Sequence, residues 1–107
     1  FITMCVECVQ QHLADTEFDL EAFSSAMNIS KSSLYKKLHA LTSLSPSSFI
    51  RNIRMKYASE LLRKNPKVRI ADVAYAVGFN DPKYFSSCFK KEFGMLPSDY
   101  VKDELEK

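Results

Sequence analysis

Apolar residues recur at intervals of three and four along most of this chain, which is the spacing of one face of an α-helix. The longest such stretch runs from Ser47 to about Asn65, between Pro46 and Pro66. Its apolar positions are Ile50, Ile53, Tyr57, Ala58, Leu61 and Leu62. We predict one central helix here, and about 19 residues at about 1.5 Å each would make it roughly 28 Å long.

The segments on either side of this central helix repeat one pattern. Residues 20–29 and 70–79 place their apolar residues alike at an offset of 50, and after one inserted residue the match resumes at an offset of 51. The corresponding pairs there are Leu34 and Phe85, Leu38 and Phe89, and Phe49 and Tyr100. The chain therefore contains two copies of one supersecondary unit. We expect residues 1–46 and 66–107 to form the units and residues 47–65 to link them.

Each copy has the start and stop signals of a helix, a tight turn and a second helix. In the first copy, Asp19 is a candidate N-cap for a helix ending near Met27, and Ser30 for a helix from Lys31 to about Leu41. The second of these helices should turn three leucines toward the core, Leu34, Leu38 and Leu41. Three polar residues then point away from the core: Ser32, Lys36 and His39.

The second copy has the same signals. Gly78 should end its first helix, and Asp81 should cap a second helix that begins at Pro82, continues to about Phe93 and stops at Gly94. The residues predicted to face inward are Phe85, Cys88 and Phe89. Those predicted to face outward are Lys83, Ser87 and Lys90.

The amino-terminal helix contains two of the three cysteines of the chain. Cys5, Cys8 and His12 have the spacing of metal ligands. A structural zinc site usually needs four ligands, however, and no fourth ligand lies nearby in the sequence. We predict an apolar stripe of Ile2, Val6, Val9 and Leu13 with the cysteines half-buried beside it, and no metal or other cofactor. An odd cysteine count also argues against a disulfide framework.

The net charge of +2 conceals a strong segregation of charge. Residues 1–29 carry −5, residues 30–91 carry +10 and residues 92–107 carry −3. A basic middle is what a polyanion-binding surface requires. The chain has no apolar run of the roughly 20 residues that span a bilayer and no signal-peptide pattern, so we expect a cytoplasmic domain without membrane contact.

The second copy closely follows the motifs of the AraC/XylS family of transcription regulators. The matching residues are Ile70-Ala71-Asp72-Val73-Ala74, Val77-Gly78-Phe79-Asn80-Asp81, Tyr84-Phe85-Ser86 and Phe89-Lys90-Lys91-Glu92-Phe93-Gly94, with Pro97. The first copy resembles the family more loosely, through Ser30-Lys31-Ser32-Ser33-Leu34 and Ser45-Pro46. The resemblance implies an all-α, homeodomain-like fold of seven helices, with two helix-turn-helix subdomains joined by a long central helix.

The same resemblance implies that the second helix of each unit enters the major groove of double-stranded DNA. Carried over by position, the base-contacting candidates are Ser32, Tyr35, Lys36, Lys83, Tyr84, Ser86 and Ser87. Helix geometry separately points to Ser32, Lys36, Lys83 and Ser87. Candidate phosphate contacts are Lys31, Ser33, Lys37, His39, Arg51, Arg54, Lys67, Arg69 and Lys90.

Two positions depart from the family pattern. Ser43 stands where many members have glycine, which changes the turn expected there. Ser87 stands where many members have arginine, so bidentate recognition of guanine is not available at that position.

Regulators of this family usually carry the module at the carboxyl end, behind a sensing domain, and some resemble the output of hybrid two-component sensors. Because the chain begins at Phe1 in a helical pattern, we expect a fragment of such a regulator. The expected partners are DNA, the upstream sensor domain of the same chain and RNA polymerase. A homodimer formed through regions outside this fragment is a further expectation.

The sequence also bears on two other classes of function, an enzyme and a protein–protein interaction module. An enzyme would need a convergent set of polar groups, whereas the two histidines are far apart and no glycine-rich phosphate loop is present. A helical protein–protein interaction module with a basic face stays the alternative, although it would not require two matched turn motifs.

Overall fold

The computed structural model describes residues 1–106, and these residues form seven α-helices and no strand. The helices are α1 (Ile2–Gln11), α2 (Leu20–Met27), α3 (Lys31–Thr42), α4 (Pro46–Lys64), α5 (Ile70–Ala76), α6 (Pro82–Phe93) and α7 (Pro97–Leu105). The predicted all-α fold with a long central helix is confirmed. The chain divides into two compact units within α4, the first being Phe1–Ile53 and the second beginning at Arg54.

The predicted N-caps set the starts of three helices. The Asp19 carboxylate accepts a hydrogen bond from the backbone N–H of Ala22 at 2.9 Å and so caps α2. Ser30 Oγ accepts from the N–H of Ser33 at 3.1 Å at the start of α3, and Asp81 accepts from the N–H of Lys83 at 3.0 Å at the start of α6. Each cap pairs a donor that the helix itself leaves without a partner.

The turns between paired helices depend on left-handed backbone. Asn28 ends α2 with φ 59°, and Gly94 ends α6 with φ 79°. In the second unit, α5 ends at Ala76, and Gly78 takes φ 90° two residues later. Gly78 thus makes the turn to α6, as its position in the repeat predicted, although the helix stops slightly earlier.

The core of the first unit is a chain of contacting rings flanked by aliphatic side chains. His12 stacks on Phe18 with ring centroids 4.5 Å apart, Phe18 contacts Phe23 at 5.7 Å, and Phe23 contacts Phe49 at 6.1 Å. The fully buried residues packed with them are Cys5, Val9, Leu34 and Leu38. These residues come from α1, α2, α3, the beginning of α4 and the connection between α1 and α2, so all four helices contribute to one core.

The core of the second unit is similarly aromatic. Phe85 contacts Phe79 at 5.4 Å and Phe89 at 5.9 Å, and Tyr100 of α7 meets Phe89 edge-on at 5.4 Å. The aliphatic residues buried in this unit include Leu62, Val73, Ala74 and Val77. The two phenylalanines of α6 therefore pack inward, as predicted.

Four side chains or boundaries differ from the sequence expectation. Leu41 is 62% exposed although it follows buried Leu34 and Leu38 on the same side of α3, so the described chain does not cover this end of the apolar stripe. The prediction that Leu41 faces the core is wrong.

On α1, the buried face consists of Cys5, Cys8 and Val9, whereas Ile2, Val6 and Leu13 are half-buried, so the cysteines form the core face itself. Cys88 is half-buried rather than internal, and Pro46 is the first residue of α4 rather than a residue before it.

Candidate nucleic-acid interface

Helix α3 presents a continuous polar and basic face to solvent. Ser32, Tyr35 and Lys36 are all exposed, and they were the base-contacting candidates of this unit. The neighbouring candidates Lys31, Lys37 and His39 are also exposed, while Ser33 is half-buried. Because the helix contains three lysines and no acidic residue, this face is attractive to a polyanion along its whole length.

Two ring contacts involve side chains on this face. The rings of Tyr35 and His39 are stacked, with centroids 5.9 Å apart and planes 5° from parallel. The Lys37 ammonium lies 5.3 Å from the centroid of the Phe1 ring, which is a cation–π contact. Sequence reasoning missed both contacts. The spacing of four between Tyr35 and His39 was a usable signal, whereas nothing in the sequence pairs Lys37 with Phe1.

The equivalent face of the second unit lies on α6. Lys83, Tyr84, Ser87 and Lys90 are exposed and Ser86 is half-buried. Tyr84 is 52% exposed, but its ring contacts buried Phe79 at a centroid distance of 5.8 Å. The ring of Tyr84 therefore packs on the core while part of the side chain stays exposed to solvent.

The hydroxyl of Ser87 is already engaged within its own helix. It donates to the backbone carbonyl of Lys83 at 3.2 Å, one turn earlier. A serine whose proton points along the helix offers its oxygen as an acceptor rather than a donor. The exposed hydrogen-bond donors of this face are therefore Lys83, Tyr84 and Lys90 rather than Ser87.

The remaining phosphate candidates differ in accessibility. Lys67 and Arg69, in the connection between α4 and α5, are exposed. Arg51 and Arg54 on α4 are half-buried, and the Nε of Arg54 is inaccessible to solvent. Arg54 has an intramolecular interaction, so it is less available to a phosphate than the two residues of the connection.

The buried thiols of α1 do not form a metal site. Within residues 1–106, no three His, Cys, Asp or Glu side chains are arranged to hold a metal ion. Burial raises the pKa of the Cys5 thiol, and the nearby Cys8 raises it further; burial also raises the pKa of Cys8. Both cysteines are therefore protonated core residues at neutral pH.

No helix among residues 1–106 is both long enough and apolar enough to cross a membrane.

The two units share one design, a short scaffold helix, a tight turn and a second helix with an exposed basic face. That design defines the class of helix-turn-helix DNA-binding domains.

Comparison with known proteins gives the family. The model of the helix-turn-helix domain family matches residues 23–103. The chain is 44% identical to Histidine kinase P4 of Formosa agariphila over 92 residues, which are 86% of this chain and 7% of that protein. It is 43% identical to the Msm operon regulatory protein of Streptococcus mutans over 77 residues, which are 72% of this chain and 27% of that protein.

Among solved structures, the fold is similar to the C-terminal domain of AraT, a response regulator from Geobacillus stearothermophilus. The TM-score is 0.87 at 27% sequence identity, covering 95% of this chain and 84% of that one. The chain belongs to the AraC/XylS family of transcription regulators and is an AraC-type DNA-binding domain. It spans well under a third of the length of the two curated relatives.

Proposed function

We propose that this domain binds one specific site in double-stranded DNA by placing α3 and α6 in successive major grooves. The observation that carries the proposal is the repeated design itself. In each unit a turn with a left-handed residue follows the scaffold helix, Asn28 after α2 and Gly78 after α5, and a capped second helix then exposes lysine, serine and tyrosine. Base edges in the major groove offer acceptors and donors that these side chains can match.

Sequence specificity is assigned to the exposed residues of the two recognition helices. In α3 these are Ser32, Tyr35 and Lys36, and in α6 they are Lys83, Tyr84, Ser86 and Ser87, with Ser87 as an acceptor. Contacts to phosphates, which position the domain without selecting sequence, are assigned to the surrounding basic and polar residues. They are Lys31, Ser33, Lys37, His39, Arg51, Arg54, Lys67, Arg69 and Lys90.

The domain is proposed to be the output part of a longer cytoplasmic regulator. A histidine kinase and a response regulator are among the proteins it resembles, which supports a place at the end of a two-component pathway. Its partners would then be the sensor domain of its own chain and RNA polymerase, and a homodimer would form through regions outside this domain.

The test of this proposal is selection of bound sequences from a random pool of double-stranded DNA at physiological salt. The expected result is an enriched motif of two elements about 10 base pairs apart, the spacing of successive major grooves. Salt-sensitive binding without enrichment would show that specificity requires another part of the regulator. An absence of binding would favour the alternative, a protein–protein interaction module with a basic face.

Lys36→Ala tests the assignment of a base contact in α3. At the selected site we expect a loss of about 1–3 kcal/mol in binding free energy, with almost no loss on random DNA. Titrations on both DNAs, at one salt concentration, measure this difference. Equal weakening on both would make Lys36 a phosphate contact. Lys102→Ala, at an exposed lysine of α7, is the matched control and should change neither titration.

A further inference from the structure

The stacked pair on α3 gives His39 a second role. Tyr35 is 47% exposed, and no core residue of the unit makes a ring contact with it. An exposed tyrosine in this position would move among rotamers, and ordering it on binding would weaken affinity. The ring of His39, parallel to it within 5° at 5.9 Å, restricts that movement before DNA arrives.

The geometry of the helix makes this contact directional. Residues four apart lie on the same side of a helix, and side chains lean toward the helix amino terminus. His39 therefore leans back over the turn that carries Tyr35, while Tyr35 leans toward the amino-terminal end of α3. That end is the part of a recognition helix that contacts base edges. The histidine thus supports the tyrosine from the side away from the bases.

The second unit lacks this arrangement. By the offset of 51, the positions of Tyr35 and His39 correspond to Ser86 and Lys90, which carry no rings. The exposed aromatic of α6 is instead Tyr84, and Phe79 of the core supports it at 5.8 Å. Each recognition helix therefore has one exposed tyrosine, and another ring contacts each tyrosine. The contacting ring of His39 is itself exposed, whereas that of Phe79 is buried.

We propose that His39 is a positioning residue that holds Tyr35 ready for base recognition, in addition to contacting the DNA backbone. This inference rests on the proposed function, since it assumes that α3 enters the major groove. Its consequence is that the base preference read by Tyr35 depends on a ring at position 39 rather than on a charge there.

The experiment separates ring from charge by substitution at one position. His39→Phe keeps a ring without a hydrogen-bonding group, and His39→Lys keeps a cation without a ring. Tyr35→Ala first identifies the base pair whose preference is lost, and a second DNA site is altered at that base pair. We expect His39→Phe still to discriminate between the selected site and this altered site. We expect His39→Lys and His39→Ala to lose about threefold to tenfold of that discrimination, which is the size of effect that one aromatic pair contributes.

A double-mutant cycle provides the readout that a merely structural role would not give. In a Tyr35→Ala background, His39→Ala should cause no further loss of discrimination, because the supported ring is already absent. All the variants replace exposed residues, so circular dichroism and thermal midpoints should match the unmodified domain.

Two results would overturn the proposal. One is discrimination that His39→Ala leaves intact while it weakens binding to both sites equally, which would make His39 a phosphate contact only. The other is an additive cycle, in which His39→Ala costs the same with and without Tyr35. Failure of the unmodified domain to select any sequence would instead count against the proposed function, so the two failures are distinguishable.

Discussion

Ser43 has the left-handed backbone conformation that its counterpart Gly94 has in the second unit. It ends α3 with φ 63°, and its N–H bonds to the carbonyl of His39 at 2.9 Å. The turn is therefore the same although serine replaces the glycine of many family members. Serine adopts this left-handed conformation at a cost of about 1–2 kcal/mol, which glycine would not pay.

Ser43→Gly should stabilise the domain. Relief of the strain is partly offset by the greater freedom of glycine in the unfolded chain, so the net gain should be about 0.5–1 kcal/mol. Gly94→Ala should do the opposite by about 1 kcal/mol from backbone strain alone, since a Cβ there would meet nothing within 4 Å.

Urea denaturation of both variants measures these changes. Ser47→Gly, in the first turn of α4, is the matched control and should lower the free energy of unfolding, because glycine in a helix is unfavourable. A Ser43→Gly variant that is less stable than the unmodified domain would contradict this interpretation of the turn.

The thiols should differ in reactivity according to burial. Cys5 and Cys8 are buried, and burial raises the pKa of both thiols, whereas Cys88 is half-buried. At pH 8 a thiol-specific reagent should modify Cys88 first, and Cys5 and Cys8 only when the first unit unfolds. Mass spectrometry of the labelled peptides, with a urea-unfolded control, checks this order. Early labelling of Cys5 would mean that α1 detaches readily.

The same pKa shifts predict the pH dependence of stability. A thiol with a raised pKa in the folded state stays protonated while the unfolded thiol ionises. The stability that these thiols contribute is therefore fully present at neutral pH. It is lost as pH rises above the ordinary thiol pKa of about 8.5 toward the higher folded value.

At the scale of the element, α3 packs against the core through one face and exposes a basic face on the other side. Leu34 and Leu38 are fully buried, while Leu41, one turn further on, is 62% exposed. The apolar stripe of the sequence is therefore longer than the face that the rest of the unit covers.

Leu38→Ala and Leu41→Ala should separate these two situations. The first removes buried volume and should cost about 2–5 kcal/mol of unfolding free energy, and the second should stay within about 0.5 kcal/mol of the unmodified domain. Thermal and urea unfolding of the pair measure the difference. A large loss for Leu41→Ala would place its side chain in the core.

Helix boundaries were well predicted where the sequence contains local signals. Asp19, Ser30 and Asp81 cap the helices they were expected to cap, and Gly94 ends α6 as expected. These signals work because capping and left-handed turns are satisfied within three or four residues. The inward face of α1 was not predicted correctly, because the choice between Cys5 and Val6 depends on where α2 packs.

At the scale of the whole molecule, the segregation of charge should control DNA affinity. Residues 30–91 carry +10, and this segment contains α3 and all but the last two residues of α6. Each lysine or arginine that neutralises a phosphate releases a counterion, so the logarithm of the binding constant should fall by about 0.9 per contact and per tenfold rise in salt.

Lys67→Ala should reduce that salt slope by about one, with similar weakening on all sequences. Lys102→Ala, in the acidic carboxyl-terminal segment, should leave the slope unchanged. Fluorescence anisotropy at a series of salt concentrations provides both slopes. A flat response of the unmodified domain would rule out binding through the basic segment.

The sequence by itself determined the helices, the repeat, the family and the basic character of the two recognition faces. It could do so because periodicity, capping and charge are properties of neighbouring residues along the chain. The tertiary structure alone decided that Leu41 is exposed, that Cys5 and Cys8 form the core face of α1, and that Lys37 lies over Phe1. Those outcomes depend on which residues distant in the chain cover a given position, and no local pattern contains that information.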